Sequence, residues 1–258
     1  MYKVLKFIYK NILPIQLRNR FDLFPSLRGK MNYADVIEKP AGSRVLVLSP
    51  HPDDDIFGCG GTLHKHHLAG DNIVSVYMTD GRKGNPDFGS EEKLVLKRRE
   101  EAGRAAKIVG INRLIFLENR DSELSVNNKT VRQLTDLIKE IKPDIVYLPF
   151  LLDYHPDHIA TNGIFTSVIK KNPFKLTCYA YEIWTPMVPN RVVDIGDYEH
   201  VKKTALEQFK IEPRNIVGAS FGLSKYRSVL HTGRDSCVEC FFYCNADEYL
   251  KLWNLIEW

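Results

Sequence analysis

The 258-residue chain lacks the features that mark membrane-spanning, secreted or disulfide-stabilised proteins. Its apolar runs fall short of the roughly 20 residues of a spanning helix and of the about 7–15-residue core of a secretory signal. Its five cysteines are too few and too unevenly placed for a disulfide scaffold. With 44% hydrophobic and 26% charged residues, the composition excludes a disordered or fibrous chain. We therefore expect one enzyme-sized domain in a reducing compartment, the cytoplasm.

Most of the chain also lacks an excess of charge of one sign. Residues 1–30 contain seven basic residues and one acidic residue, whereas residues 31–258 contain 29 basic and 31 acidic residues. A nearly neutral body does not favour nucleic acid as a partner. Basic residues interleaved with apolar ones in residues 1–30 are typical of a helix on an anionic membrane surface, here the inner face, but a helix docked on the body would share this pattern. We expect a basic amphipathic arm over residues 1–41 and one domain over residues 42–258.

Short aliphatic runs alternate with longer helical patterns along the body. The predicted strands cover 45–48, 73–78, 114–117 and 145–148, and the predicted helices cover 60–69, 90–109 and 127–141. Two further strands are expected at 176–182 and 238–243. Because each helix returns the chain to the same edge, this alternation predicts an α/β fold with a mostly parallel sheet covered by helices on both faces.

Potential metal ligands follow two of the predicted strands. Residues 49–55 read Ser-Pro-His-Pro-Asp-Asp-Asp after the first strand, and residues 153–158 read Asp-Tyr-His-Pro-Asp-His after the fourth. Ligands bind beyond the carboxyl ends of parallel strands, and adjacent carboxylates repel one another unless a cation compensates them. Two histidines and one aspartate would leave a carboxylate to take a proton from water, but spacing does not say whether Asp53 or Asp54 is the ligand. Alternatively, the acids cap the following helix.

These two segments, with Gly58-Cys-Gly-Gly-Thr62 and Thr79-Asp-Gly81, resemble the LmbE/PIG-L family of zinc-dependent de-N-acetylases. The resemblance covers about residues 42–245. It implies a Rossmann-like fold and one Zn²⁺ per chain, with Fe²⁺ as the alternative metal. It also implies hydrolysis of an N-acetyl group on an N-acetylated amino sugar, carried by a glycan, a glycolipid or a small glycoside.

The resemblance also assigns roles to individual residues. His51, Asp54 and His158 match the zinc ligands, and Asp53 matches the general base. His155, in its protonated form, matches the group that stabilises the oxyanion or assists the leaving amine.

Two further positions match the family's substrate pocket, and one position departs from the family. Arg98 and Asp121 match residues that line the pocket, although Arg98 could also lie on a solvated helix face and Asp121 in a turn. Asp55 stands where the family commonly has glutamate, which puts the support around the metal site in question.

Two rival functions fit part of the same pattern. His51-x-Asp53 with a distant histidine is also the ligand order of non-haem Fe(II) oxygenases, but those usually have an antiparallel double-sheet barrel. A non-catalytic glycan- or lipid-binding protein would not need Asp53 as an extra acid. His64, His66 and His67 are expected on the surface, because residues two apart on a helix point to different faces.

Overall fold

One sheet of eight strands forms the centre of the structure, a computed structural model that describes residues 34–210 and 216–256. The strands are β1 (Asp35–Ile37), β2 (Arg44–Ser49), β3 (Asn72–Thr79), β4 (Arg113–Asn119), β5 (Ile145–Pro149), β6 (Thr177–Tyr181), β7 (Arg191–Asp194) and β8 (Val238–Asn245). The helices are α1 (Asp54–Leu68), α2 (Glu91–Val109), α3 (Asn128–Ile141), α4 (Pro156–Lys171), α5 (Glu199–Leu206), α6 (Ile216–Thr232) and α7 (Ala246–Ile256).

The strand order brings residues 49–55 and 153–158, the two segments with potential metal ligands, side by side. The order is β1-β7-β8-β6-β5-β2-β3-β4, and all neighbours are parallel except β8, which runs antiparallel to β6 and β7. From β2 the chain builds β3 and β4 on one side, and it then returns to add β5 on the other side of β2. The carboxyl ends of β2 and β5 therefore form a topological switch point, the place where open α/β sheets bind ligands.

Alternating residues of β2 belong to two separate cores. Val45 and Val47 belong to a core with buried residues of α1, α2 and α5, whereas Leu46 and Leu48 belong to a core with residues of α3, α4 and α7. A strand buried on both faces reads as a continuous aliphatic run, which is how β2 reads. The predicted α/β fold with helices on both faces is confirmed. The strands of residues 34–210 and 216–256 form this one sheet and not the antiparallel barrel expected of the oxygenase alternative.

The first helix differs most from its prediction. It was expected at 60–69 but begins at Asp54, and the helical backbone is interrupted at Cys59, where φ is −148°. At this kink the Glu239 carboxylate accepts hydrogen bonds from the N–H groups of Gly61 and Thr62. These bonds cap the second part of the helix from β8, far along the chain. Sequence patterns around residue 60 cannot show such a cap.

The prediction that His66 lies on the surface is wrong. Its side chain is fully buried, with Nδ1 2.7 Å from Asp71 Oδ2 and Nε2 2.9 Å from the Tyr147 hydroxyl. Helix α1 packs on the sheet along its length, so one of its three neighbouring histidines faces inward. His67 is exposed and His64 is half-buried, as expected of a pair that faces away from the sheet.

Most of the predicted arm lies outside the described residues, since the description starts at residue 34. Strand β1 falls within the range 1–41 and pairs in parallel with β7 at the edge of the sheet. Over residues 34–210 and 216–256, no helix combines the length and apolar character needed to cross a bilayer.

Candidate active site

Two histidines, one from each of the two strand ends, lie next to the same carboxylate oxygen of Asp54. Asp54 Oδ2 lies 3.1 Å from His51 Nδ1 and 3.3 Å from His158 Nε2, and it accepts the His51 backbone N–H at 2.9 Å. Two ligand atoms bound to a tetrahedral zinc, each about 2.0–2.1 Å from the ion, lie about 3.3 Å apart. The spacings of Asp54 Oδ2 to His51 Nδ1 and to His158 Nε2 are therefore those expected between ligands of one metal ion.

The second ring nitrogen of each histidine faces another carboxylate. His51 Nε2 lies 3.1 Å from Asp157 Oδ2, and His158 Nδ1 lies 3.2 Å from Asp153 Oδ2. Carboxylates placed in this way fix the tautomer and ring orientation of metal-binding histidines. Sequence analysis did not assign these roles to Asp153 and Asp157, although both belong to the segment 153–158.

The backbone holds the two outer carboxylates in place. Asp157 accepts hydrogen bonds from the N–H groups of Ser122 (2.7 Å) and Leu124 (3.3 Å). Asp153 accepts hydrogen bonds from the N–H groups of His155 (3.0 Å) and Trp184 (3.2 Å). The orientation of each histidine thus depends on loops that follow other strands of the sheet.

The donor set fits a divalent cation. Within the described residues, neither ring nitrogen of the buried His158 makes a hydrogen bond of good geometry, although both lie close to carboxylates. Side-chain donors also converge in two overlapping groups, one of His51, His155 and His158 and the other of His51, Asp121 and Asp157. Imidazole with carboxylate suits zinc and iron among the common metals. The arrangement can hold a metal ion, and it does not by itself select which one.

Charge coupling is strong around these side chains. Burial alone would lower the pKa of His51, but the neighbouring carboxylates of Asp121, Asp157 and Asp54 raise it well above its usual value. Burial also lowers the pKa of His158, but Asp54 outweighs burial and raises it above its usual value. Burial raises the pKa of Asp54, but His158 and His51 hold it far below its usual value. Binding of a cation would therefore displace protons from both rings.

Asp53, the expected general base, lies in the same cleft and is paired with Arg98. Its Oδ2 accepts a hydrogen bond from Arg98 Nη2 at 2.8 Å, and both side chains are buried. Asp53 occupies the N-cap position of α1, but within the described residues its side chain makes no capping hydrogen bond. The alternative that Asp53 caps the helix therefore does not hold. The alternative that Arg98 lies on a solvated helix face does not hold either, because Arg98 is buried.

Two glycines make room for the Arg98 side chain. Gly81, in the left-handed region at φ +68°, would place a Cβ 2.6 Å from Arg98 Nε, and Gly84 would place one 2.7 Å from Nη1. In the segment Thr79-Asp-Gly81, the glycine thus allows the backbone to lie in contact with the Arg98 guanidinium. Arg98 lines the cleft, as expected, and it also orients Asp53.

His155 borders the cleft at the start of α4 and is half-buried there. Burial, followed by the positive charges of His51 and His158, lowers the pKa of His155 below its usual value. Its Nδ1 accepts the Asp157 backbone N–H at 3.3 Å, which leaves the proton of a neutral ring on Nε2. The ring can donate from Nε2, and the positive charge that the resemblance implies for His155 stays a prediction.

The last two sequence-derived positions, Asp121 and Asp55, have different surroundings. Asp121 borders the cleft, where its Oδ1 is 3.6 Å from His51 Nε2 and its Oδ2 accepts the Lys83 backbone N–H at 3.0 Å. Asp55 is fully buried beneath the loop and accepts hydrogen bonds from the Ser75 and Tyr77 hydroxyls, while burial raises its pKa to about 6. Asp55, although shorter than the glutamate common in the family, thus accepts hydrogen bonds from two side chains of β3.

The cleft over these residues has a volume of about 530 Å³. Six of the seven expected site residues line it (His51, Asp53, Asp54, Arg98, Asp121 and His155), and the seventh, His158, is buried next to Asp54. Tyr154, 66% exposed, and Trp184 add aromatic surface that sequence analysis missed. Tyr154 lies inside the 153–158 segment, whereas the only signal for Trp184 is its position just beyond the end of β6.

Comparisons with known proteins agree with this arrangement. The profile of the GlcNAc-PI de-N-acetylase family (PIG-L) matches residues 46–169, which contain both ligand-bearing segments. A protein of Bacillus anthracis named as probable N-acetyl-alpha-D-glucosaminyl L-malate deacetylase 2 is 30% identical over 181 residues, covering 63% of this chain and 78% of that protein. This chain belongs to the PIG-L (LmbE-like) family.

Two further proteins are similar to this chain, one in part of its sequence and one over the whole fold. Diacetylchitobiose deacetylase of Thermococcus kodakarensis is 34% identical over 147 residues, 54% of each chain, so this chain matches about half the length of that relative. The structure of N,N'-diacetylchitobiose deacetylase from Pyrococcus horikoshii, solved with an inhibitor, aligns with a TM-score of 0.71 at 23% identity. That alignment covers 96% of this chain and 94% of the other, which shows the same fold.

Proposed function

We propose that this PIG-L family member is a metal-dependent hydrolase that removes the N-acetyl group from an N-acetylated amino sugar in a glycan, a glycolipid or a small glycoside. The observation that carries the proposal is the position of Asp54 Oδ2 between His51 Nδ1 and His158 Nε2, with a further acid, Asp53, in the same cleft. The names of its relatives as deacetylases of N-acetylated sugars support the same substrate class.

We propose that the ligands are His51, Asp54 and His158 and that the ion is one Zn²⁺ per chain, with Fe²⁺ as the alternative for the same donors. Bound there, such an ion supplies Lewis acidity toward an amide carbonyl and makes a nearby water more acidic. A pure binding protein has no use for a separate proton acceptor beside such a water, so the placement of Asp53 favours an enzyme.

The side chains of the cleft divide the proton transfers between them. Asp53, held by Arg98, accepts a proton from the attacking water as its oxygen bonds to the acetamide carbon. The Nε2–H of His155 donates to the oxygen that gains negative charge, a contact of the kind worth about 3–4 kcal/mol in other hydrolases. The C–N bond then breaks as the amine nitrogen takes the proton that Asp53 accepted, and acetate and a free amino sugar leave. Arg98 and Asp121 at the cleft wall would contact the sugar.

We further propose that residues 1–30 bring the protein to an anionic membrane surface on the cytoplasmic side. Their seven basic residues against one acidic residue would attract anionic lipid, while the nearly neutral remainder would not attract nucleic acid. A membrane-bound glycolipid would then be within reach of the cleft.

Acetate release tests the proposed function. Metal-loaded protein is incubated with N-acetylglucosamine presented as a nucleotide sugar, as a lipid-linked sugar and as a free glycoside. We expect acetate and free amine from at least one form, loss of both after chelation, and recovery on adding Zn²⁺. Tight binding of a sugar without acetate release from any form would instead support the non-catalytic alternative. His158→Ala serves as the matched inactive control.

A further inference from the structure

A second cavity adjoins the catalytic cleft and has no part in the chemistry proposed above. This side cavity has a volume of about 260 Å³ and shares four residues with the cleft, namely Phe57, Ile183, Trp184 and Ile216. The rest of its wall comes from α5, α6, β8, the first turns of α1 and the residue that follows β6. A molecule bound over the metal ligands can therefore extend into the side cavity without leaving the protein.

The charged groups in the wall of the side cavity are paired with one another. Lys202 Nζ lies 2.7 Å from Glu239 Oε1, and Arg227 Nη2, behind the wall, lies 2.7 Å from Glu182 Oε2. Lys202 also donates to the Phe57 carbonyl oxygen at 2.7 Å. Each cation thus has an anion beside it, and the side cavity offers no net charge to a ligand.

The remaining wall is mostly apolar. Ile183, Ile216, Leu223, Val238 and Cys240 line it, with Trp184 at the junction with the cleft. Ser224, which also lines it, exchanges hydrogen bonds with the Val238 backbone at 2.7 and 2.9 Å. An apolar ligand would therefore bury these surfaces without leaving a polar group of Ser224 unpaired.

We propose that the side cavity binds an apolar substituent, alkyl or aryl, carried by the amino sugar whose amide lies in the catalytic cleft. This proposal rests on the proposed function. An apolar protein cavity of about 150 Å³ can hold benzene, so 260 Å³ suits a group of about six to ten carbon atoms. The substituent can be attached at the anomeric oxygen or be the acyl chain of the amide, and the experiment separates these sources.

Two series of substrates test the proposal. One series has methyl, butyl, hexyl and octyl groups on the anomeric oxygen of N-acetylglucosamine, in both anomeric forms. The other keeps the methyl glycoside and lengthens the N-acyl chain from acetyl to octanoyl. In one of the two series, kcat/KM should rise about two- to fourfold for each added methylene until the cavity is filled.

Substitutions on α6 locate the effect. Leu223→Trp, which fills the side cavity, should abolish the gain of the octyl over the methyl compound, and Leu223→Ala should extend the gain to longer chains. Leu230→Trp is the matched control, because Leu230 lies on the same helix, is 59% exposed and does not line the cavity. Melting temperatures of all variants check folding.

Each outcome has one meaning. Hydrolysis that does not depend on chain length in either series overturns the side-cavity proposal while leaving the proposed function intact. A chain-length gain that survives Leu223→Trp also overturns it, as does a gain that Leu223→Trp and Leu230→Trp reduce equally. Failure of every compound to release a carboxylic acid contradicts the proposed function, and the side-cavity proposal is then rejected with it.

Discussion

Asp54 Oδ2 lies within 3.3 Å of three nitrogen atoms, two from His51 and one from His158. Residue types and their positions after two strands were enough to predict a metal site here. The choice between Asp53 and Asp54 was not predictable from spacing, because adjacent residues at a helix start differ only in the direction of their side chains. In the structure Asp54 points to the histidines and Asp53 to Arg98.

The outer carboxylates should influence metal affinity without binding the ion. Asp157→Asn keeps the size of the side chain but weakens its interaction with His51 Nε2, so we expect metal affinity to fall about 10- to 100-fold. Titration of the metal-free protein with Zn²⁺ measures this change. Asp136→Asn is the control, since Asp136 is exposed on α3. Equal affinities of the two variants would show that Asp157 does not support His51.

His66 should make stability depend on pH. Burial lowers its pKa from the ordinary value of 6.5, outweighing the opposite effect of Asp71. Below pH 6.5 the unfolded chain therefore binds a proton that the folded protein resists, and stability falls as the pH falls. The loss is at most about 1.4 kcal/mol per pH unit for one group.

Urea unfolding between pH 7 and pH 5 checks the contribution of His66. The wild-type protein should lose more unfolding free energy over this range than His66→Gln, which cannot titrate. His67→Gln, at an exposed position of the same helix, should behave like the wild type. A His66→Gln protein with the same pH dependence as the wild type would contradict the assignment.

At the scale of elements, helix α1 shows what sequence patterns miss. Its later part was predicted from helical spacing, but its start at Asp54 and its kink at Cys59 were not. The kink is held by Glu239 from β8 and Lys202 from α5, which lie more than a hundred residues away. Contacts over such separations leave no local pattern in the sequence.

Removing one partner of the buried ion pair at this kink should destabilise the protein. Lys202→Met leaves Glu239 buried without its cation, and we expect a loss of about 3–5 kcal/mol in the free energy of unfolding. Chemical denaturation measures the change. Lys203→Met, at the exposed neighbouring position, should stay within about 0.5 kcal/mol of the wild type. A similar small effect of Lys202→Met would mean that the pair does not hold the kink.

At the scale of the whole molecule, the alternation of strands and helices predicted the sheet and its two covered faces. The predicted strands and the predicted helices 90–109 and 127–141 agree with the structure to within about two residues, because each is an aliphatic run or a helical repeat bounded by local signals. Helices α4 to α7 were not predicted. Strands β1 and β7 were missed because they are short and lie beside the edge of the sheet. The antiparallel insertion of β8 between β6 and β7 depends on long-range pairing that no local pattern reveals.

The basic segment 1–30 should control attachment to membranes. The full-length protein should sediment with vesicles containing anionic lipid at low salt and be released at high salt, because salt screens the attraction. A protein lacking residues 1–30 should stay in solution with its metal content unchanged. Equal sedimentation of the two proteins would contradict a membrane role for this segment.

The central claim is that a metal ion held by His51, Asp54 and His158 acts with Asp53 to hydrolyse an N-acetyl group. Metal content and acetate release, measured together on Asp53→Asn and Asp54→Asn, test it most directly. Asp53→Asn should keep about one metal ion per chain and lose about 10²-fold or more in activity, because an amide cannot accept the proton. Asp54→Asn should lose metal and recover part of its activity when zinc is added. Loss of metal from Asp53→Asn, with recovery on adding zinc and a metal-replete Asp54→Asn, would contradict the account.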